Sequence, residues 1–151
     1  MPCYSLEQFE LQLVPVASLP LVTKFYKACR YPAKAGRGER VYCLRLDGQI
    51  VAALKLVPKT FAAESWLFLR AMCVLPQMQG RGIGKIMLQL LQPYFDQAVY
   101  CYPFAHLENF YGTIGFTRLN PEEATAEMSL AYQRLLDQGR DVLIMSCEPA
   151  S

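Results

Sequence analysis

One histidine, His106, is all that the sequence offers, and its six cysteines (Cys3, Cys29, Cys43, Cys73, Cys101, Cys147) lie far apart with no C-x-x-C pair. A zinc site needs several such ligands at short spacing, so no resident metal is expected. An excess of one charge is also lacking: Lys+Arg 15 stand against Asp+Glu 13, a net charge of +2. A balance this close supplies no basic field for nucleic acid, and the small cluster Lys34–Arg40 reads as a solvated loop. Long apolar runs are missing as well. Lys55, Lys59, Glu64 and Arg70 interrupt the longest of them, so none reaches the ~20 residues of a membrane helix. Glu7 and Glu10 stand where a secretion signal carries a basic start and an apolar core. The expectation is a cytoplasmic protein that meets neither nucleic acid nor membrane.

What is present is a core. The chain has 151 residues, 53% hydrophobic and 19% charged, which suits a single globular domain over residues 1–151. Cys43, Cys73, Cys101 and Cys147 sit inside apolar runs, where a reduced thiol packs as a small hydrophobe. The patterning predicts a strand at Phe9–Val14 and a helix over Leu19–Arg30. Strands follow at Arg40–Leu46 and Gln49–Val57, joined by Asp47-Gly48, a strong hairpin signal. Further strands are expected at Trp66–Leu75, Ala98–Tyr102, Phe116–Leu119 and Asp141–Cys147. Helices are expected from about Gly82 to Phe95 and from His106 to Ile114. A last one spans Glu122–Gln138, started by Asn120-Pro121 and stopped by Gly139. Hairpins early and strand–helix alternation later give an α/β or α+β fold, with an extra helix before the last strand.

The segment QGRGIGKIM, residues 79 to 87, places three glycines at alternate positions ahead of a helix. Such a turn suits phosphate, because bare backbone N–H groups and the helix N-terminus both favour an anion. Two familiar phosphate loops fail on spacing. A nucleoside-triphosphate loop needs four residues between its glycines and a hydroxyl after the lysine, but Gly80 and Gly84 are separated by three and Ile86 follows Lys85. The dinucleotide fingerprint needs a third glycine where Lys85 stands.

Two blocks in fixed order carry a resemblance to a known family: VLPQMQGRGIGKIMLQLL, residues 74 to 91, and HLENFYGTIGF, residues 106 to 116. The first resembles the V-x-P-x-x-[QR]-x-x-G-x-[GA] turn of the GNAT superfamily of acyl-coenzyme A-dependent N-acyltransferases. The second resembles that superfamily's F-Y-x-x-x-G-F block. The resemblance covers roughly Val41 to Leu119 and implies a mostly antiparallel central sheet with helices on both faces. It implies acetyl-CoA as acyl donor, with Gln79, Gly80, Arg81, Gly82, Ile83, Gly84 and Lys85 cradling its pyrophosphate. Met72, Cys73 and Val74 then match the splayed strand that pairs with the pantetheine amides. Cys73 has no His–Asp pair beside it, so an acyl-cysteine route is not expected.

The same resemblance implies a catalytic role for Tyr111, which protonates the departing thiolate. An ordinary phenol with pKa ~10 can donate to a thiolate whose parent thiol lies near ~8.5. The acceptor is an amine, of a small molecule or a peptide, attacking the thioester directly. For the base the residues leave Glu108, His106 or water open, and Arg70 either meets an acidic acceptor or pairs with a helix. Three positions depart from the superfamily. Phe104 replaces an asparagine seven residues before the tyrosine, Trp66 to Val74 holds no carboxylate, and the helix Glu122–Gln138 replaces a hairpin. The apolar stripe of that helix buries against the acceptor side of the cleft, the far face of the sheet or a second copy of the chain. A domain that binds or senses acyl-CoA, or mediates protein contacts without turnover, is the alternative reading.

Overall fold

The structure is a computed structural model that describes residues 4–150; Cys3 lies outside the described residues. Its elements run β1 (Phe9–Leu13), α1 (Leu19–Ala28), β2 (Arg40–Leu46), β3 (Gln49–Phe61), β4 (Glu64–Val74), α2 (Ile83–Leu91), β5 (Ala98–Cys101), α3 (Glu108–Gly112), β6 (Thr117–Arg118), α4 (Ala126–Asp137) and β7 (Met145–Cys147). The strands form a sheet in the order β1-β2-β3-β4-β5-β7-β6. The pairs β1–β2, β2–β3, β5–β7 and β6–β7 are antiparallel, and β4–β5 is parallel. This is the expected mixed, mostly antiparallel sheet. The chain divides into two compact units, one holding the residues up to Pro58 with Leu69–Pro93, the other Lys59–Phe68 with the residues from Tyr94 on.

In the first unit, Asp47 (φ 51) and Gly48 (φ 82) are both left-handed, the geometry that lets a two-residue turn follow the twist of its strands. The β3 segment Val51–Leu56 is buried without a break, so both its faces are covered. One cover is α1, whose Val22, Phe25 and Tyr26 pack with Val41, Cys43, Ala53, Ala71 and Cys73. Lys55 is the charged residue in that run, only 6% exposed. A buried ammonium needs partners, and it has two. Its Nζ donates to the Lys34 carbonyl at 2.8 Å and meets the Glu39 carboxylate at 3.2 Å. Glu39 also accepts the Gly36 N–H at 2.8 Å. The 34–40 loop is therefore pinned from below, although Lys34 and Arg37 point to solvent as expected.

In the second unit, Tyr100 on β5 gathers Phe68 (stacked, 4.9 Å) and Trp66 (edge-on, 5.9 Å). The helix α4 lies on the same side of the strand: Tyr132 stacks on Tyr102 at 6.4 Å, and the Tyr102 hydroxyl donates to the Met128 carbonyl at 3.1 Å. Burial pushes the Tyr102 phenol up to about 12, so it remains a donor through the neutral range. Several boundaries differ from expectation: β3 runs on to Phe61, α2 ends at Leu91 and α3 spans only Glu108–Gly112, and two further differences have a visible cause. Asn120-Pro121 opens a turn, with the Asn120 side chain accepting from Glu122 N–H at 3.0 Å. The helix begins later, where Thr125 in extended backbone accepts the Met128 N–H on its hydroxyl at 3.1 Å. The last strand is shorter than Asp141–Cys147, because Val142 makes only an isolated bridge to Phe104. Thr125→Ala removes the cap, and a loss of about 1 kcal/mol is expected in chemical denaturation. An unchanged midpoint would return the start of the helix to Asn120-Pro121.

Candidate functional site

The site begins with an irregularity in β4. Ala71 has φ 57, a left-handed conformation that costs an L-residue roughly 1–2 kcal/mol. The Tyr26 hydroxyl donates to the Ala71 carbonyl at 2.8 Å in a buried setting, which holds the distortion in place. The parallel ladder to β5 runs over Trp66–Phe68 against Ala98–Tyr100 and includes no later residue of β4. Beyond Phe68 the strand carries on through Met72, Cys73 and Val74 without that partner. Backbone left open on such an edge has pairing capacity to spare.

The chain then turns. Leu75 N–H donates to the Val51 carbonyl at 2.8 Å, and Pro76–Met78 form a single 3-10 turn. The Gln79 amide reaches back to the Val74 carbonyl at 3.2 Å, which joins the strand segment and the turn into one site. Gly80 (φ 79) and Gly82 (φ 79) are left-handed, and nothing lies within 4 Å of where a Cβ would stand on either. Gly82 is the N-cap of α2 and makes no side-chain cap bond, so the first N–H groups of that helix lack intrahelical partners. Ile83, 1% exposed, anchors the helix start, while Arg81 and Lys85 are exposed. The Arg81 guanidinium donates to the Tyr4 hydroxyl at 3.3 Å. The result is open backbone, free helix N–H groups and two cations around one turn. This fits a diphosphate, because a Cβ at either glycine would occupy the space that the anion needs.

Tyr111 belongs to the second unit. It is 9% exposed on α3, with Phe116 edge-on to its ring at 5.5 Å and Phe110 at 5.1 Å. The Tyr111 carbonyl accepts from both Ile114 and Phe116 N–H, at 3.1 Å each, so the Gly115 turn closes directly beneath the residue.

The family model described as acetyltransferase (GNAT) domain matches residues 37–118, more than half of the chain. The chain belongs to the GNAT acetyltransferase family. Among solved structures, N-acetylglutamate synthase from Neisseria gonorrhoeae, complexed with coenzyme A and N-acetyl-glutamate, superposes with a TM-score of 0.62 at 15% identity. It covers 95% of this chain, which spans only 35% of that one. The ribosomal-protein-S18-alanine N-acetyltransferase from Escherichia coli has a TM-score of 0.62 at 14% identity, covering 95% of both chains. A GNAT family acetyltransferase from Elizabethkingia anophelis with acetyl-CoA bound has 0.59 at 12% identity, over 94% of this chain and 99% of that one. No curated protein matches in sequence. At these identities the likeness is one of fold.

Within this GNAT domain the remaining residues fall into place one by one. Cys73 points into the α1 core, and burial, with Cys29 beside it, pushes its thiol up to about 12; a thiol held protonated is a poor nucleophile. Cys43, Cys101 and Cys147 are buried free thiols, as expected of small core hydrophobes. Glu108 pairs at 3.8 Å with Arg118 on the surface. His106 is exposed, its ring stacked on Phe104 at 5.8 Å. Phe104, at the position of the family's asparagine, is 51% exposed. Among the described residues no group of three or more potential metal ligands occurs, and no helix is long and apolar enough to cross a membrane. Sequence reasoning missed Ala71, Tyr26 and Tyr4. An alanine gives no warning of a left-handed backbone, and two tyrosines far from the motif give none of where their hydroxyls end.

Proposed function

We propose that this GNAT domain is an N-acetyltransferase that moves an acetyl group from acetyl-CoA to an amine acceptor by direct attack in a ternary complex. The observation that carries it is the turn Gln79–Lys85, whose left-handed glycines and open helix N–H groups form a cradle for a diphosphate. Acetyl-CoA supplies the activated acyl group as a thioester. Gly80, Gly82, Ile83 and Gly84 bind through backbone N–H groups, and Gln79, Arg81 and Lys85 add polar and cationic contacts. The β4 segment Met72, Cys73 and Val74 offers backbone to the pantetheine amides, and orients the thioester by doing so. The Tyr111 hydroxyl delivers a proton to the leaving sulfur. The amine loses its proton to water, His106 or Glu108. For the acceptor, the wall is the aromatic side of the second unit, where Trp66, Phe68, Tyr102 and Tyr132 are half-buried and α4 packs.

A second reading is favoured by one observation: β4 has no carboxylate after Glu64, so a strand-borne base is missing. In that reading the domain binds acyl-CoA as a sensor without turnover. A panel of amines (amino acids, polyamines, peptides with free N-termini) incubated with acetyl-CoA separates the two. The expected result is release of free thiol matched by an acetylated amine in one class of the panel. Tight binding of acetyl-CoA with thiol release at the no-amine rate throughout would move the domain to the sensing role.

A further inference from the structure

The aromatic residues of the second unit are gathered on one face of the sheet. β4 and β5 pair in parallel with Trp66 opposite Ala98 and Phe68 opposite Tyr100. Alternation along each strand then puts Trp66 and Phe68 on the same side as Tyr100 and Tyr102. Tyr100 is buried at the centre. Phe68 stacks on it at 4.9 Å, while Phe61 and Trp66 meet it edge-on at 6.0 and 5.9 Å. Tyr102 is edge-on to Phe68 at 5.5 Å and to Tyr100 at 5.7 Å, and Tyr132 of α4 stacks on Tyr102 at 6.4 Å. Phe61, Trp66, Phe68, Tyr102 and Tyr132 each keep part of their surface open to water.

The polar ends of this wall are already used. The Tyr102 hydroxyl donates to the Met128 carbonyl at 3.1 Å, and the Tyr132 hydroxyl to the Val142 carbonyl at 3.0 Å. What these two residues offer a ligand is ring surface and not hydrogen bonds. Burial raises the Tyr100 and Tyr102 phenols, with Tyr102 as the second cause at Tyr100, which marks an apolar setting and not an ionic one. The carboxylate of β4, Glu64, stands exposed at the first position of the strand. A ligand carboxylate against the rings would face their negative faces. A second ammonium would gain a cation–π contact but give up water with no counter-charge among the six rings. A further aromatic ring extends the stacked and edge-on pattern and carries no such cost.

We propose, resting on the reading of this wall as the acceptor side, that the acceptor is an arylalkylamine: a primary amine on a short chain that ends in an aromatic ring and carries no further charge. The ring lies against Trp66, Phe68, Tyr102 and Tyr132, and the apolar setting favours the neutral, attacking form of the amine. Transfer forms the amide N–C bond and breaks the thioester C–S bond. The amine gives up one proton and the leaving thiolate takes one, so the products are the N-acetylated arylalkylamine and free coenzyme A. Trp66 is the single tryptophan of the chain and one ring of the wall, so its emission reports a ligand there without any transfer.

The test titrates the full chain, with coenzyme A in place of acetyl-CoA so that nothing turns over, against phenethylamine, its saturated analogue cyclohexylethylamine, spermidine and phenylalanine. Trp66 emission is followed with excitation where a benzene ring does not absorb. The expected result is a saturable change with phenethylamine. Cyclohexylethylamine should bind about threefold or more weaker, and spermidine and phenylalanine about tenfold or more. Tyr132→Leu should weaken phenethylamine by about three- to tenfold, and Tyr132→Phe, which also lacks the hydroxyl but keeps the ring, should restore the parent affinity. Should Tyr132→Leu fail to fold, the cyclohexyl comparison on the parent chain decides alone. No saturable change with phenethylamine, equal affinity for spermidine or phenylalanine, or parent affinity in Tyr132→Leu would each overturn the proposal. Acetyl-CoA added last separates the two readings. Acetylated spermidine or amino acid with Trp66 unmoved overturns the ring preference and leaves the acetyltransferase reading standing. A Trp66 response with no acetylated amine leaves the wall as a ring-binding site and overturns the acetyltransferase reading.

Discussion

A Gly82→Val chain is expected to fold and to lose coenzyme A binding by about 100-fold or more. Gly82 has φ 79, and a Cβ there meets no protein atom within 4 Å. The substitution therefore creates no clash inside the protein. What it does create is backbone strain, roughly 1–2 kcal/mol for an L-residue in the left-handed region, and a branched side chain standing in the space above the turn. A diphosphate held off that turn loses backbone bonds to a charged group, worth roughly 1.5–3 kcal/mol each. Losing two of them is about 3 kcal/mol or more, and ~1.4 kcal/mol is tenfold in affinity. Strain and blockage are separable by a second variant. Gly139 follows α4 with φ 81 and equally open space, so Gly139→Val carries the same strain far along the chain from the turn. It should lower the denaturation midpoint as Gly82→Val does while titrating with coenzyme A as the parent does. Equal affinity in all three proteins by calorimetry would remove the turn from the cofactor site.

The residues that announced themselves in the sequence are those whose backbone only a few residue types can adopt. Asp47-Gly48 takes two left-handed positions in succession, and Gly80 and Gly82 take one each, so the hairpin and the glycine turn before α2 were both legible. Where an alanine does the same work the signal vanishes. Ala62 (φ 54) turns the β3–β4 hairpin and Ala71 (φ 57) distorts β4, and the patterning foresaw neither. Competing caps explain the start of α4. Asn120-Pro121-Glu122-Glu123 has the composition of a helix start, but its side-chain bond closes a turn two residues on. Thr125 lies one turn nearer the buried Met128, and packing of that residue selects the later start. The pinned 34–40 loop was illegible for a different reason. Lys55 and Glu39 lie 16 residues apart, and only the fold brings a lysine inside an apolar strand to a carboxylate in a loop.

Tyr111→Phe should lower turnover by roughly 10²-fold or more, the scale of a lost general acid, while leaving the affinity for coenzyme A unchanged. The ring is what packs: Phe110 and Phe116 stand edge-on to it at 5.1 and 5.5 Å, and phenylalanine keeps both contacts. The backbone role of the residue, accepting from Ile114 and Phe116 N–H, is indifferent to the hydroxyl. The substitution therefore keeps the ring and the backbone bonds while removing the hydroxyl, and binding and chemistry should separate. A fall in kcat and in kcat/KM by the same factor marks an interaction made only in the transition state. Two companion variants sharpen the reading. His106→Gln and Glu108→Gln touch groups that are exposed or paired at the surface, so each should cost far less than Tyr111→Phe unless it is the base. If Tyr111→Phe releases thiol as fast as the parent at saturating acetyl-CoA and amine, the proton comes from water and Tyr111 is a packing residue of α3.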